Sequence, residues 1–437
     1  MKAVIMAGGK GTRLASVTGD KFPKAMVPVL GKPLLLRQLE QFKTYGIKDF
    51  IFVIGHLGEI IQDYFKDGKE FDVSISYIEE KEPLGTAGSF YYLKDLIEED
   101  DFFLSFGDVL FDIDLERFKA FHESKNALVS LFVHPNNHPY DSDLVISDAS
   151  QCVLEFNKKN SERNFWYHNL VNAGLYLFHR SITEEVKKPI KMDLESELIA
   201  PLIPTGRVYA YSSSEYIKDI GTEERLRQAE KDLESHFIEK RNLKNKQKAI
   251  FLDRDGTINV LKGQLYKEED FELEDCVIDA IKRINASSYL AIVITNQPAV
   301  ARGLCDIETI ETIHHKMETL LGEGGAYLDA SYYCPHHPDK GFPEENKLYK
   351  VECDCRKPKL GMIEKAVESY NIDLENSWFI GDSTVDIQTG KNAHTRTILV
   401  KTGAFGSDQK YEVEPTFICE NILDAVNKIL EEETHGL

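Results

Sequence analysis

The sequence predicts two α/β domains in tandem, and three observations lead there. Short runs of β-branched and apolar residues alternate with helical stretches, the rhythm of βαβ units around mostly parallel sheets. The character of the chain changes near residue 242, where a polar helix gives way to a basic run and then to a new apolar strand. Each half also opens with an apolar strand that runs into a loop suited to phosphate chemistry. These loops are Gly8-Gly9-Lys10-Gly11 in the first half and Asp253-Arg254-Asp255-Gly256 in the second.

A chain of 437 residues suits two or three domains of ~150 residues each. Its 42% hydrophobic and 29% charged residues allow sizeable cores. That composition excludes disordered, collagen-like and disulfide-scaffold proteins. Against 73 Asp and Glu stand 52 Lys and Arg, a net charge of −21 that argues against a nucleic-acid partner. No apolar run reaches the ~18–20 residues of a spanning helix. The N-terminal residues lead into a glycine loop and do not read as a signal peptide. Seven cysteines, three of them near histidine, favour a reducing compartment and a metal site over disulfides. The expectation is a cytoplasmic protein with small-molecule substrates, no nucleic acid and no membrane partner. Homo-oligomer formation is left open.

In the first half the apolar runs predict strands at 3–7, 50–54, 73–77, 102–106 and 127–133, with helices at 34–45, 59–65 and 115–124. In the second half they predict strands at 249–252, 290–295, 378–380 and 397–400. Residues 239–248 hold five basic residues and no glycine or proline, which reads as a solvated linker. The expected domains are 1–240 and 247–437, joined by 241–246.

Gly8, Gly9 and Gly11 leave backbone N–H groups free to approach an anion. The loop is neither a Walker A loop nor the dinucleotide fingerprint, because it lacks the Gly-Lys-Ser/Thr end and the third fingerprint glycine. Thr12 and Arg13 follow, then Lys24. Two cations and a glycine nest suit a triphosphate. Asp108 follows the expected strand at 102–106, at the end where open sheets bind ligands.

The first half resembles the sugar-1-phosphate nucleotidyltransferases. The resemblance rests on Gly8–Leu14, Phe22–Pro28, Gly31-Lys32-Pro33, Pro83-Leu84-Gly85-Thr86-Ala87-Gly88, Gly107-Asp108, Asn172-Ala173-Gly174 and Asp219-Ile220-Gly221-Thr222, in family order. It implies a GT-A/Rossmann-like fold and attack of a sugar phosphate oxygen on the α-phosphate of a nucleoside triphosphate, releasing pyrophosphate. Gly8, Gly9, Gly11, Thr12 and Gly85 would then cradle the nucleotide. Arg13 and Lys24 would neutralise developing charge, and Asp108 and Asp219 would hold Mg²⁺. Asn172 and Gly174 would meet the sugar, and Lys159 its phosphate. Glu80 falls near where the family reads the base. A carboxylate accepts from paired N–H donors, which guanine presents, so GTP is favoured over other NTPs. Lys158 stands where the family often shows an acidic residue, and no site role is assigned to it.

In the second half, Asp253 and Asp255 sit two apart after a strand, so one can attack phosphorus while the other protonates the leaving oxygen. Thr295-Asn296, Lys357 and Asp382 follow in the order of the haloacid-dehalogenase phosphatases. That resemblance makes Asp253 the nucleophile and Asp255 the acid, then the base. Thr295, Asn296 and Lys357 would bind the phosphoryl group. Mg²⁺ would be held by Asp253, Asp382 and the Asp255 carbonyl. Cys334, His336, Cys353 and Cys355 have the spacing of a closed, structural Zn²⁺ site, with Arg356 and Lys357 directly after it.

With Tyr332–Pro338 and Cys353–Pro358, this half closely resembles the D-glycero-D-manno-heptose 1,7-bisphosphate phosphatases. Ala301-Arg302-Gly303 fits their substrate loop, and Arg302 is the candidate for the retained anomeric phosphate. The two resemblances together imply a bifunctional NDP-heptose enzyme. It would convert heptose bisphosphate to heptose 1-phosphate and then, with GTP, to GDP-heptose. The alternatives are a hexose-1-phosphate transferase fused to a histidinol-phosphate-type phosphatase, or a fusion in which one half is a non-catalytic module.

Overall fold

In the computed structural model, which describes residues 1–9, 21–338, 341 and 345–435, the first strand, Lys2–Met6, lies inside a nine-stranded sheet. Ala3, Val4 and Ile5 are buried, as a strand covered on both faces requires, so its sequence is continuously apolar rather than alternating. It pairs in parallel with Asp49–Ile54 on one side and Asp101–Phe106 on the other. Ser74–Glu79 adds in parallel beyond Asp49–Ile54. The direction of winding therefore reverses beside the first strand. Such a reversal opens a crevice at the carboxyl ends, and Gly8 and Asp108 follow the two strands that flank it.

Beyond Asp101–Phe106 the sheet turns antiparallel with Val171–His179. That strand shifts register against Val129–His134 between Asn172 and Tyr176. Gly174 sits in the shift with φ +75°, and a Cβ there would lie 2.9 Å from the Phe106 ring. Asn172 still pairs with Val133, and the ladder is interrupted directly after it, a common device beside sites. A separate ribbon pairs Val109–Asp112 with Tyr216–Asp219. Helix Leu115–Ser124 starts where the Asp114 side chain accepts from two backbone amides, a cap contributing ~1 kcal/mol.

The second sheet has six parallel strands. Lys248–Leu252 is flanked by Tyr289–Asn296 and Trp378–Gly381, with Ala330–Cys334 beyond the former and Arg396–Val400 and then Phe417–Cys419 beyond the latter. Winding again reverses beside the first strand, and Asp253 and Asp382 follow the two strands at that point. Helix Thr384–Asn392 begins with a reciprocal cap between Ser383 and Asp386.

One unit comprises residues 1–134, 143–158 and 170–242, and the other 135–142, 159–169 and 243–437. Within the second unit, Glu318 on helix Ile307–Glu323 pairs with His168 Nδ1 at 2.6 Å and accepts from the Asn169 backbone amide at 2.8 Å. The expected linker, 241–246, is exposed at Lys244, Asn245 and Lys246 and buried at its start. Arg241, Asn242 and Leu243 are 3%, 6% and 2% exposed. Arg241 covers the Phe237 ring and Asn242 donates to Asp112 in the first unit, while Leu243 joins a core of the second. Long cationic side chains can keep their heads in water while neighbouring positions bury, so charge alone does not reveal the buried start of this segment.

Candidate active sites

In the first unit, the pairing of Val109 with Asp219 and the hydrogen bond from Ile220 N to Asp108 O bring Asp108 and Asp219 together. Lys24, in the turn Lys24–Met26, reaches both: its Nζ is ion-paired with Asp108 and lies 3.5 Å from Asp219 Oδ1. Arg225 pairs with the other Asp219 oxygen. Sequence reasoning missed Arg225. The available signal was its place in the first turn of the helix that Thr222 caps, just after the Asp219 motif. Two carboxylates facing one crevice can hold a divalent cation, and the two cations balance them in its absence.

Glu80 lies against Gly8, where a Cβ would be 3.4 Å from Glu80 Oε2. That oxygen accepts from Leu84 N at 3.4 Å. Oε1 is buried and has no hydrogen-bond partner among the described residues. Burial raises the Glu80 carboxyl above its ordinary value. A buried acceptor left unpaired costs about 1–3 kcal/mol, which a ligand donor would recover. Gly85, at φ +76°, begins a tight passage in which Thr86 N and Ala87 N both donate to Met192 O.

Asn172 Nδ2 donates to Tyr176 OH at 2.6 Å and to Glu195 Oε1 at 2.5 Å. Lys159, expected at the sugar phosphate, instead belongs to the second unit, where its Nζ lies 3.7 Å from Asp141. The chain around it leaves the first unit with the segment that His168 and Asn169 anchor on Glu318. Gly9 follows the first strand as expected. Gly11, Thr12 and Arg13 lie outside the described residues.

In the second unit, Lys357 Nζ donates to Asp253 Oδ1 at 2.7 Å and to Asp386 Oδ1 at 2.6 Å. Asn296 fixes the lysine's backbone, accepting from Lys357 N at 3.0 Å and donating to its carbonyl at 3.2 Å. Carboxylate oxygens of Asp253, Asp382 and Asp386 converge within 4.8 Å. Asp382 is tightly cradled. A Cβ on Gly256 or Gly403 would collide with it, and Ala404 N donates to it at 2.6 Å.

Burial first, then Asp386, pushes Asp253 up to about 7, with Lys357 opposing. Burial first, then Asp253 and Asp386, pushes Asp382 up to about 8. For Lys357, burial disfavours the charge, but the two carboxylates outweigh it and raise its pKa. Three buried carboxylates against one ammonium leave the cluster short of positive charge, the electrostatics of a divalent-cation site.

The Asp255 carboxylate is not in that group. It is held by Arg254 at 2.9 Å, Asn259 at 3.1 Å and Gln297 at 2.7 Å. Gln297 also donates to Thr295 Oγ1 at 2.9 Å. Asp386, Gln297, Arg254 and Asn259 are residues here that the sequence did not assign to the site.

A cleft of about 280 Å³ is lined by Asp253, Asp255, Thr295, Arg302, Arg356 and Lys357. Arg302 Nη2 lies 3.2 Å from His337 Nε2, and Lys410 also lines the cleft. The cleft thus combines the Asp253 and Asp255 carboxylates with the cationic side chains of Arg302, Arg356, Lys357 and Lys410. Cys334, His336, Cys353 and Cys355 form a second donor group, with Sγ–Sγ separations of 3.1, 3.2 and 3.6 Å and His336 Nδ1 3.3 Å from Cys355 Sγ. The His336 carbonyl accepts from Arg356 Nη1 at 3.1 Å, tying this group to the cleft wall.

Carboxylates and cations gathered at both switch points are the sites of a nucleotidyltransferase fused to a phosphatase. Residues 2–236 match the family described as nucleotidyl transferase, and residues 354–425 match the HAD-hydrolase-like family. The D-glycero-β-D-manno-heptose-1,7-bisphosphate 7-phosphatase of Pasteurella multocida (strain Pm70) is 38% identical over 179 residues, which are 40% of this chain and 94% of that one. Among solved structures, HddC from Yersinia pseudotuberculosis complexed with GMP-PN is 27% identical, covers 53% of this chain and 99% of its own, and has a TM-score of 0.47. D,D-heptose 1,7-bisphosphate phosphatase from B. bronchiseptica, complexed with magnesium and phosphate, is 32% identical, covers 43% and 99%, and has a TM-score of 0.38. The chain belongs to the nucleotidyl transferase family through its first unit and to the heptose-1,7-bisphosphate 7-phosphatase family through its second.

Among the described residues, no helix is long and apolar enough to cross a membrane.

Proposed function

We propose that the chain carries out two consecutive steps of NDP-heptose synthesis. It removes the C7 phosphate of D-glycero-D-manno-heptose 1,7-bisphosphate and then transfers GMP from GTP to the resulting heptose 1-phosphate. The observation that carries this reading is the pairing in one chain of a transferase fold with a phosphatase unit related along 94% of a heptose-1,7-bisphosphate 7-phosphatase. The first unit needs the product of the second.

In the phosphatase step, Asp253 attacks the distal phosphorus and the P–O bond to C7 breaks. Asp255, turned from Arg254 and Gln297 toward the cleft, gives its proton to the leaving alkoxide. It then takes a proton from the water that hydrolyses the aspartyl phosphate. Thr295 and Lys357 hold the phosphoryl oxygens, and Asn296 fixes the position of Lys357. Arg302 and Arg356 meet the retained anomeric phosphate. Asp253, Asp382 and the Asp255 carbonyl would hold Mg²⁺, which when bound offsets the charge of the phosphoryl oxygens.

In the transferase step, an anomeric phosphate oxygen attacks the α-phosphorus of GTP and pyrophosphate leaves. Lys24 neutralises charge as it develops, and Asp108 and Asp219 are the carboxylates that fit a second Mg²⁺. Glu80 Oε1 accepts from the guanine N–H edge. Gly8, Gly9, Gly11 and Arg13 are the residues that would bind the phosphates.

The four-residue Cys/His group fits Zn²⁺. Its donor separations approach the roughly 3.8 Å between sulfurs expected of a tetrahedron with Zn–S near 2.3 Å. Four protein donors leave no position for water, so its role is structural. Incubating the purified chain with the bisphosphate and each NTP, then identifying the nucleotide sugar by mass, tests the whole reading. GDP-heptose is the expected product, and a different sugar or no nucleotide sugar overturns it.

A further inference from the structure

Lys158 was assigned no site role from the sequence, yet its Nζ lies 2.5 Å from Glu195 Oε2. Glu195 has a side chain only 15% exposed. Its other oxygen takes Asn172 Nδ2 at 2.5 Å and Tyr176 OH at 3.3 Å. Three elements converge on this carboxylate: the residue after strand Val153–Asn157, the bulged strand Val171–His179 and the turn Leu194–Ile199.

Their place in the unit is defined on two sides. Leu194 N donates to Thr86 Oγ1 at 2.7 Å, which docks the Glu195 turn on the Pro83–Gly88 loop. Tyr176 packs edge-on against Phe106 with ring centroids 6.1 Å apart, and Phe106 stands two residues before Asp108. The cluster therefore lies between the nucleotide loop and the strand that delivers Asp108.

The donor count decides what the cluster offers. A carboxylate has about four acceptor directions. Two on Oε1 and one on Oε2 are taken, leaving an acceptor on Oε2. The Lys158 ammonium has three donors and is 38% exposed. Besides Glu195, the nearby charges are Asp193, with Oδ1 at 3.7 Å, and Asp143 farther off. One acceptor and one donor thus stand side by side, fixed by Asn172 and Tyr176. Two adjacent hydroxyls match that arrangement.

We propose that Glu195 and Lys158 together read a vicinal diol of the sugar 1-phosphate, one hydroxyl donating to Glu195 and its neighbour accepting from Lys158. This rests on the first unit being a sugar-1-phosphate nucleotidyltransferase and adds the residues that select the sugar. The family's usual acidic residue at position 158 is replaced by a cation, and the acceptor is supplied from the facing turn.

The test follows pyrophosphate release by the full chain with its preferred NTP and sugar 1-phosphate, in wild type, Glu195→Gln and Lys158→Met. Each variant should raise KM for the sugar phosphate about 10–100-fold, the scale of a lost charged hydrogen bond, while KM for the NTP and the melting temperature barely move. A series of monodeoxy sugar 1-phosphates then names the hydroxyls. Wild type should penalise two adjacent deletions. Glu195→Gln should erase one penalty and Lys158→Met the neighbouring one.

If Glu195→Gln does not fold, Lys158→Met at the exposed arm decides alone. A pair that merely ties the strand to the turn would leave every deoxy penalty in place, and that result overturns the assignment while the transferase reading stands. A wild type that releases no pyrophosphate from any sugar 1-phosphate overturns the transferase reading and this assignment together.

Discussion

Lys357 donates to Asp253 across 104 residues of sequence, Nζ to Oδ1 at 2.7 Å. Both side chains are buried. Removing one partner of a buried pair typically costs about 3–5 kcal/mol, because the other charge is left uncompensated. The contact joins the residue after strand Lys248–Leu252 to the segment after the Cys/His group.

The two chemistries should separate cleanly. Asp253→Asn removes the nucleophile and should abolish phosphate release from the bisphosphate, while pyrophosphate release from heptose 1-phosphate and GTP stays near wild type. Asp108→Asn should do the reverse, with a loss of ~10²-fold or more in transferase rate. Comparable damage to both activities from either substitution contradicts a two-site enzyme.

Metal analysis of protein purified without chelator should find about one zinc per chain. Cys353→Ser should lower the melting temperature of the second unit and reduce phosphatase activity indirectly, since metal binding contributes to folding. Full zinc occupancy in that variant, or none in wild type, contradicts the assignment of the four ligands.

GTP should exceed ATP, CTP and UTP in kcat/KM. The basis is the buried Glu80 Oε1 without a partner among the described residues. Glu80→Gln places an amide donor where guanine also donates and should erode the preference. A wild type that prefers ATP or CTP contradicts the role of Glu80.

The His168–Glu318 pair should make stability depend on pH. Burial disfavours the charged His168, but Glu318 outweighs it and raises the pKa above 6.5. For Glu318, burial is outweighed by His168 and its value falls below 4.5. The histidine's contribution is present below its unfolded value and fades as pH rises through the raised one. The glutamate's is present above its unfolded value and fades as pH falls through the lowered one.

The advantage over His168→Gln should therefore peak between about pH 5 and 6.5 and shrink toward pH 9. His315 stacks on His168 with centroids 5.8 Å apart, and burial, then His168, lowers its own pKa. His168 is 47% exposed, so screening should keep the effect below about 1 kcal/mol. Melting temperatures across that range check it, and a difference that grows with pH contradicts the pair's role.

Much of the architecture was legible because apolar runs and buried strands coincide. Residues 50–54 and 115–124 were expected as strand and helix, and the structure has Asp49–Ile54 and Leu115–Ser124. Asp253 and Lys357 were named together from the motif order of the haloacid-dehalogenase phosphatases, and the structure sets them 2.7 Å apart. Glu195 and Arg225 were not legible. Glu195 becomes informative only when the fold brings Asn172 within hydrogen-bond distance of it, and Arg225 only when a β ribbon sets Asp219 beside Asp108. The burial at 241–243 was hidden because charge density reports side-chain heads and not where the backbone runs.

Phosphorus NMR of wild type acting on heptose 1,7-bisphosphate tests the central claim most directly. A transferase that uses the anomeric phosphate as its nucleophile requires a partner that spares it. The account predicts loss of the C7 resonance with growth of inorganic phosphate, while the anomeric resonance persists until GTP is added and then gives way to a diphosphate signal and pyrophosphate. Arg302→Ala should raise KM for the bisphosphate far more than for a monophosphate lacking the C1 group. Loss of the anomeric resonance before any GTP is present would contradict the account.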